Sequence, residues 1–213
     1  EIISTRTLRG KHLKEYPIKI IGADFNKAAR IASNLTLKAA SIPHSILAGD
    51  ISDPQSYANQ LKDKFDLDIR KMLNVRSFLD HNRIYTKPMN IRDDLICKST
   101  GAFSYRGRWI PNKELKQNLI EHFSAWKNHV SNFGLLILEL HTINPSLASK
   151  HIGKTVATAY DGTHGYSDQY IFEIETMLAA ANEAGLSADP YHQAQFPSKD
   201  FSTISINLFK PKQ

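Results

Sequence analysis

Acids and imidazoles recur in this chain where apolar runs end, and those positions are the first candidates for chemistry. The run Ile18-Lys19-Ile20-Ile21-Gly22-Ala23-Asp24-Phe25-Asn26 puts a carboxylate where an apolar strand gives way to a helix. In open α/β sheets ligands bind beyond the carboxyl ends of the strands, and an acid there can grip both hydroxyls of a ribose. A second acid, Asp50, closes the next apolar run, about 26 residues later, a spacing suited to a strand, helix, strand unit. Asp50 can accept a hydrogen bond from an adenine amino group, with Ile51 covering the ring. One strand-end Asp reads equally well as a helix N-cap; two in succession favour a nucleoside site.

Three more groups fall near expected strand ends: Asp80-His81-Asn82, Glu139 with His141, and His164 within Tyr160-Asp161-Gly162-Thr163-His164-Gly165. Histidine titrates near neutrality, so His81 or His141 can act as a base with Asp80 or Glu139 orienting it. Each lone histidine also reads as a structural residue, as do His12, His44, His122, His129, His151 and His192. His141, His164 and Gln169, with Asp80 or Asp168, offer nitrogen and oxygen donors for a divalent metal, although no short ligand motif joins them. Lys154, Arg83 and Arg106 can receive a phosphate or a carboxylate, or be solvated.

The elements that must position these groups follow from periodicity. Ala28, Ile31, Ala32, Leu35 and Ala39 recur at helical spacing behind Asn26, which can cap a helix over 26–40. A strand over 45–48 follows, then Asp53-Pro54 opens a helix with Tyr57, Leu61 and Phe65 on one stripe. Residues 72–79 are a short punctuated apolar run ending at Asp80. Residues 85–111 look irregular, a lid or insertion in which 101–111 can form a hairpin around Arg106-Gly107. Leu115, Leu119, Phe123, Trp126 and Val130 mark a helix over 112–131, and 134–141 reads as a buried central strand. A further helix is expected from Ser167 to Gly185, with Tyr170 and Ile171 facing inward. Two antiparallel strands, 191–196 and 201–209, end the chain. This is an α/β pattern, a mostly parallel sheet with helices on both faces and a C-terminal antiparallel hairpin.

A chain of 213 residues, 41% of them hydrophobic, can bury the core of one sizeable domain, here taken as residues 1–213. The formal charge of +6 comes with no arginine-rich tract, so nucleic acid is not an expected partner. One cysteine, Cys97, excludes an internal disulfide framework and fits a reducing, cytoplasmic setting. The run Leu135 to Leu138 is too short to span a bilayer, so no membrane partner is expected either.

With these residues in view, the chain resembles the class I S-adenosylmethionine-dependent methyltransferases, a Rossmann-like family whose sheet ends in such a hairpin. Gly22-Ala23-Asp24-Phe25-Asn26 is similar to that family's second-strand motif, where the acid holds the ribose. Gly49-Asp50-Ile51-Ser52 is similar to the acidic turn beside adenine. Val75-Arg76-Ser77-Phe78-Leu79-Asp80-His81 resembles the segment after the fourth strand, which lines the methionine side of the cofactor and faces the methyl acceptor. More narrowly, 74–82, 99–103, 139–142 and 157–170 look similar to methyltransferases found with polyketide-synthase machinery. The resemblance implies S-adenosylmethionine at Asp24, Phe25, Asn26, Asp50, Ile51, Arg76 and Ser77. It also implies His81, His141, Asp80 and Glu139 at the acceptor. In some relatives of that kind a metal holds a malonyl-type acceptor, which keeps the His141, His164 and Gln169 set in view.

One departure stands out. The family's glycine-rich turn should precede the second-strand acid, and no Gly-x-Gly occurs between Glu1 and Asp24. The expectation is therefore a domain lacking its first strand, acting on a small-molecule or acyl-carrier-bound acceptor. The alternatives are a degenerate, non-catalytic scaffold, which the missing turn favours, and a nicotinamide-dependent dehydrogenase, which also uses a second-strand acid.

Overall fold

The computed structural model describes residues 8–131 and 133–212; residues 1–7 of the basic amino-terminal stretch lie outside the described residues. These divide into two compact units, one ending at Tyr57 and the other beginning at Ala58.

In the first unit a short helix α1 (Leu8–Lys11) precedes β1 (Ile20–Ala23), α2 (Lys27–Ala39) and β2 (His44–Leu47). β1 and β2 pair in parallel with Ala23 opposite Leu47, so the acids beyond both strands emerge at the same end. The expected cap is present: Asn26 Oδ1 accepts from the Ala28 N–H at 2.8 Å and starts α2. The apolar stripe of α2 is not buried, and Ile31 and Leu35 stand 54% and 60% exposed.

Helix α3 (Pro54–Phe65) begins where Asp53 accepts from the Ser56 N–H, with proline in the first turn. Beyond it lie β3 (Asn74–Ser77), β4 (Phe103–Tyr105), β5 (Arg108–Ile110), α4 (Asn112–Lys127) and β6 (Leu135–Leu140). The chain continues through α5 (Pro145–Ser149), α6 (Tyr160–Ser167), α7 (Ile174–Glu183), β7 (Leu186–Pro197) and β8 (Ser202–Pro211). The main sheet of this unit has the order β3-β6-β8-β7; β3 and β6 are parallel, and β8 runs antiparallel to both β6 and β7. Leu135, Ile137 and Phe209 are fully buried where β6 meets β8, each contributing roughly 1.5–3 kcal/mol of transfer free energy. Gly134 opens β6 at φ +86, and a Cβ there would lie 2.9 Å from the Phe209 carbonyl oxygen, so the turn admits glycine alone without strain.

The 85–111 segment is packed into this unit. β4 and β5 form a hairpin whose two turn residues, Arg106 and Gly107, both have positive φ, as a type I′ turn requires. Phe103 is buried against His164 and Phe172, with ring centroids 4.6 and 4.9 Å away. α4 is buried all round over 115–120, where Lys116 and Asn118 reach back to the carbonyls of Ile96 and Thr86, and has an exposed face beyond.

Two helix expectations need correction. α4 stops at Lys127 rather than continuing to 131, with Asn128 as its C-cap. No helix starts at Ser167. Asp168 takes a left-handed conformation that ends α6, and 168–173 is neither helix nor strand up to α7. Its amides go to the rest of the fold, Tyr170 N–H to the His81 carbonyl at 2.7 Å and Ile171 N–H to His164 Nε2 at 3.0 Å. Tertiary hydrogen bonds override the helical spacing of the side chains. No helix among the described residues is long and apolar enough to cross a membrane.

Candidate functional site

In the first unit, the Gly49 N–H reaches the Asp24 carbonyl at 3.4 Å, which sets the two acid-bearing turns side by side. Asp24 Oδ1 accepts from its own turn at the Asn26 N–H, 2.6 Å, and Asp50 Oδ1 from the Ser52 N–H, 2.8 Å. Neither Oδ2 has a hydrogen-bond partner among the described residues, and both side chains are half-buried rather than plugged. Each acid therefore holds its own loop with one oxygen and keeps the other for a hydroxyl or amino group. Phe25 is 72% exposed beside them. The amide oxygen of Asn26 is spent on the helix cap, so its expected cofactor contact falls to its other atoms.

The second unit builds a different constellation around Glu139, the penultimate residue of β6. Phe78 turns the chain at the end of β3 with φ +55, a strained conformation for a large side chain, and delivers Asp80 and His81 onto Glu139. Glu139 Oε2 accepts from the backbone N–H groups of Asp80 and His81 at 2.8 and 3.1 Å. Its Oε1 accepts from the Leu140 N–H at 2.7 Å and pairs with His81 Nδ1 at 2.5 Å. Four donors fill the acceptor positions of an ionised carboxylate. His81 Nδ1 must therefore carry a proton, which leaves the lone pair of the neutral ring on Nε2. That nitrogen has no protein partner among the described residues, and His81 lines a cavity of about 10 Å³ with Asp80, Arg83, Glu139, His141 and Tyr170.

Behind this pair sits a buried charged cluster. Arg76 Nη2 and His122 Nε2 each lie 3.0 Å from Asp80 Oδ1, and Arg76 Nη1 is 2.9 Å from His122 Nε2. Burial pushes the Asp80 carboxyl up, but Arg76, His122 and Arg83 together hold it below the ordinary carboxylate value. Burial, reinforced by the two arginines, drops His122 to about 4, so it is neutral at pH 7. The Arg76 guanidinium also lies 4.9 Å from the Trp126 ring centroid. The expectation that Arg76 contacts the cofactor is thus corrected: it is 3% exposed and holds Asp80. Ser77 remains exposed at the end of β3.

His141 reaches the same cavity in another role. Nδ1 donates to the Phe172 carbonyl at 3.1 Å, and Nε2 accepts from Ser205 Oγ at 2.7 Å, itself held by Asn207 Nδ2 at 2.7 Å. Burial lowers its pKa to about 4. With both nitrogens committed, His141 is a fixed neutral wall, which corrects its reading as a base or a metal ligand. His164 is committed in the same way, to the Ala102 carbonyl and the Ile171 N–H. The expected metal set of His141, His164 and Gln169 therefore has no free imidazole. Among the described residues no three His, Cys, Asp or Glu side chains gather as a metal cluster.

Of the acceptor residues expected from sequence, His81 and Glu139 form a hydrogen-bonded pair and Asp80 braces it. Tyr170, His122 and Ser205 were missed. Tyr170 reads as one more inward apolar position, and His122 and Ser205 sit on elements whose periodicity reports packing alone.

A model of the AprA MT2-like methyltransferase domain family matches residues 1–207. No curated protein matches the chain. Among solved structures, a SAM-dependent methyltransferase from Methanosarcina mazei is 8% identical, with 99% of this chain and 89% of that chain covered and a TM-score of 0.49. A SAM-dependent methyltransferase from Clostridium acetobutylicum is 10% identical, with 96% and 80% covered and a TM-score of 0.48. LepI in complex with SAM is 10% identical, with 95% of this chain covered and a TM-score of 0.45, and this chain spans only 39% of its length.

Proposed function

Because the chain belongs to the AprA MT2-like domain family of S-adenosylmethionine-dependent methyltransferases, we propose that it methylates carbon on a small-molecule or carrier-bound acyl acceptor of polyketide type, with His81 as the base. The fold is the Rossmann-like α/β arrangement of class I methyltransferases. The single observation that supports the acceptor chemistry is the His81–Glu139 pair, whose geometry leaves an unshared imidazole nitrogen at a small cavity.

S-adenosylmethionine supplies, when bound, an electrophilic sulfonium methyl that leaves a neutral thioether behind. The free oxygens of Asp24 and Asp50 fit its nucleoside: Asp24 would take the ribose hydroxyls and Asp50 the adenine amino group, with Phe25 and Ile51 beside the base. His81 Nε2 takes the proton from the acceptor carbon as the C–H bond breaks, and the electron pair passes to the adjoining carbonyl oxygen. Glu139 fixes the imidazole tautomer and stabilises the imidazolium that forms. The whole of 1–213 acts as one methyltransferase-like domain, in a cytoplasmic setting consistent with its single Cys97.

Calorimetry tests the cofactor: binding of S-adenosylmethionine and S-adenosylhomocysteine but not NAD is expected, and binding of NAD alone overturns the reading. Deuterium exchange tests the base. In D2O the protein should exchange the α-protons of a short 3-oxoacyl thioester, and His81→Gln should abolish that exchange.

A further inference from the structure

The cavity beside His81 carries more donor capacity than a base needs. Arg83 is 4% exposed; its Nε donates to Asn118 Oδ1 and its Nη1 to the Asp80 carbonyl, both at 2.8 Å. Its Nη2 is buried with no partner. Tyr170 is 2% exposed, its ring centroid lies 5.4 Å from the Arg83 guanidinium carbon, and its hydroxyl is likewise buried with no partner. Buried donors are as a rule hydrogen-bonded. Arg76 Nε and Nη2 behind the cavity also lack hydrogen-bond partners, but Arg83 and Tyr170 are the residues with orphan donors that line it, one of them cationic, and they mark a place for an acceptor atom.

Charge narrows what that atom is. Two cations, Arg76 and Arg83, stand with two carboxylates, Asp80 and Glu139, around neutral His122 and His141. Glu139 is saturated by its four donors. Asp80 Oδ2 also lacks a partner, but the charge on Asp80 is held by Arg76 Nη2, 3.0 Å from Oδ1. Burial lowers the Arg83 pKa only to about 10, so at neutral pH it remains a cation with a donor to spare. The cavity, about 10 Å³, takes one oxygen-sized group and is not sealed, so the rest of an acceptor would lie at its open side.

We propose that Arg83 Nη2 and Tyr170 Oη together bind a negatively charged oxygen of the acceptor, next to the carbon that His81 deprotonates. This rests on the reading of His81 as the base. The charge has two sources: a carboxylate already present on the acceptor, or the enolate oxygen formed when the C–H bond breaks, its proton goes to His81 Nε2 and its electron pair to the carbonyl oxygen. In the second case the contact strengthens as charge builds and lowers the barrier.

Tyr170→Phe is the clean test, because it removes a hydroxyl that makes no hydrogen bond and should leave the unfolding midpoint unchanged or raised. Arg83→Lys is the companion, keeping a positive charge while losing the fork. The probes are malonate, titrated by calorimetry, and α-proton exchange of an acetoacetyl thioester in D2O. A drop of about tenfold in malonate affinity in both variants supports the proposal with a carboxylate source. Unchanged malonate binding with exchange slowed about tenfold supports it with an enolate source. Malonate binding and exchange both within about twofold of wild type overturn it, since the orphan donors then hold only a water. A wild-type protein that neither binds malonate nor catalyses exchange overturns it as well. His81→Gln separates the two readings: wild-type exchange in that variant refutes the base, while the anion result stands on the Tyr170 and Arg83 variants.

Discussion

Replacing Glu139 by glutamine tests the central geometry of the acceptor site, because the donors around it leave the amide two ways to sit and they differ in outcome. If the new NH2 takes the place of Oε2, it faces two backbone donors, the Asp80 and His81 N–H groups, and neither can turn away. If it takes the place of Oε1, it faces one backbone donor, the Leu140 N–H, and His81 Nδ1, which can shed its proton and become an acceptor. The second arrangement orphans one donor instead of two and is therefore preferred. One buried unsatisfied N–H costs about 1–3 kcal/mol, and the surviving bonds lose the charge that strengthened them, so a total of about 2–4 kcal/mol of stability should go. That is survivable for a domain of ordinary stability, about 5–15 kcal/mol.

The functional cost is larger. With Nδ1 accepting from the amide, the proton of the neutral imidazole moves to Nε2, the nitrogen that must be bare to take one from the acceptor. An amide in place of an orienting carboxylate costs about 10⁴-fold in rate where the same tautomer logic holds. Glu139→Gln should thus slow α-proton exchange of a 3-oxoacyl thioester by about 10³–10⁴-fold, with S-adenosylmethionine affinity unchanged by calorimetry. Urea unfolding on the same preparation confirms that the protein examined is folded. Exchange within about fivefold of wild type in a folded variant would refute the assignment, since a base held in the wrong tautomer cannot work that well.

Asp24→Asn keeps the Oδ1 that holds the Asn26 N–H but removes the charge from the free oxygen; S-adenosylhomocysteine should bind about 10–100-fold more weakly by calorimetry, and unchanged affinity would remove Asp24 from the ribose site. Acid should destabilise the protein before most carboxylates titrate. The His141 pKa is depressed from 6.5 to about 4 by burial, so its contribution is complete above pH 6.5 and is lost as pH falls toward 4. At pH 4.5 the linkage from His141 alone amounts to about 2–3 kcal/mol, and His122, also lowered to about 4, acts in the same sense. Urea unfolding at pH 7 and 4.5 measures this; a difference under about 1 kcal/mol would mean that neither imidazole is buried neutral.

What could be read from sequence, and what could not, follows from how local each determinant is. The turn acids Asp24 and Asp50, the Asn26 cap, the Asp53-Pro54 helix start and the terminal hairpin are all written in a few adjacent residues, and the structure contains each of them. The pairing of His81 with Glu139 spans 58 positions, and sequence could only place both residues at strand ends and leave their partners open. Arg76 and His141 show why such openness matters. Both stood where a cofactor or acceptor contact was expected, and both are consumed by neighbours that no short motif announces, Asp80 and His122 for one, Phe172 and Ser205 for the other.

The stretch 168–173 carries the sharper lesson about how the fold makes the site. Its side chains keep helical spacing, yet its amides bond to the His81 carbonyl and His164 Nε2, and Asp168 Oδ1 takes the Arg106 N–H at 2.9 Å. In a helix begun at Ser167 the Ile171 N–H would bond within the helix and the Tyr170 N–H would point along its axis. The turn that carries His81 would then lose the bond from Tyr170 and keep only those to Glu139 and Arg83. Giving up the helix brings the turn after β3 and the approach to α7 together at one cavity and leaves Asp168 to hold the β4–β5 hairpin. The helical propensity given up here is the quantity expended to bring His81 and the orphan donors to the same place.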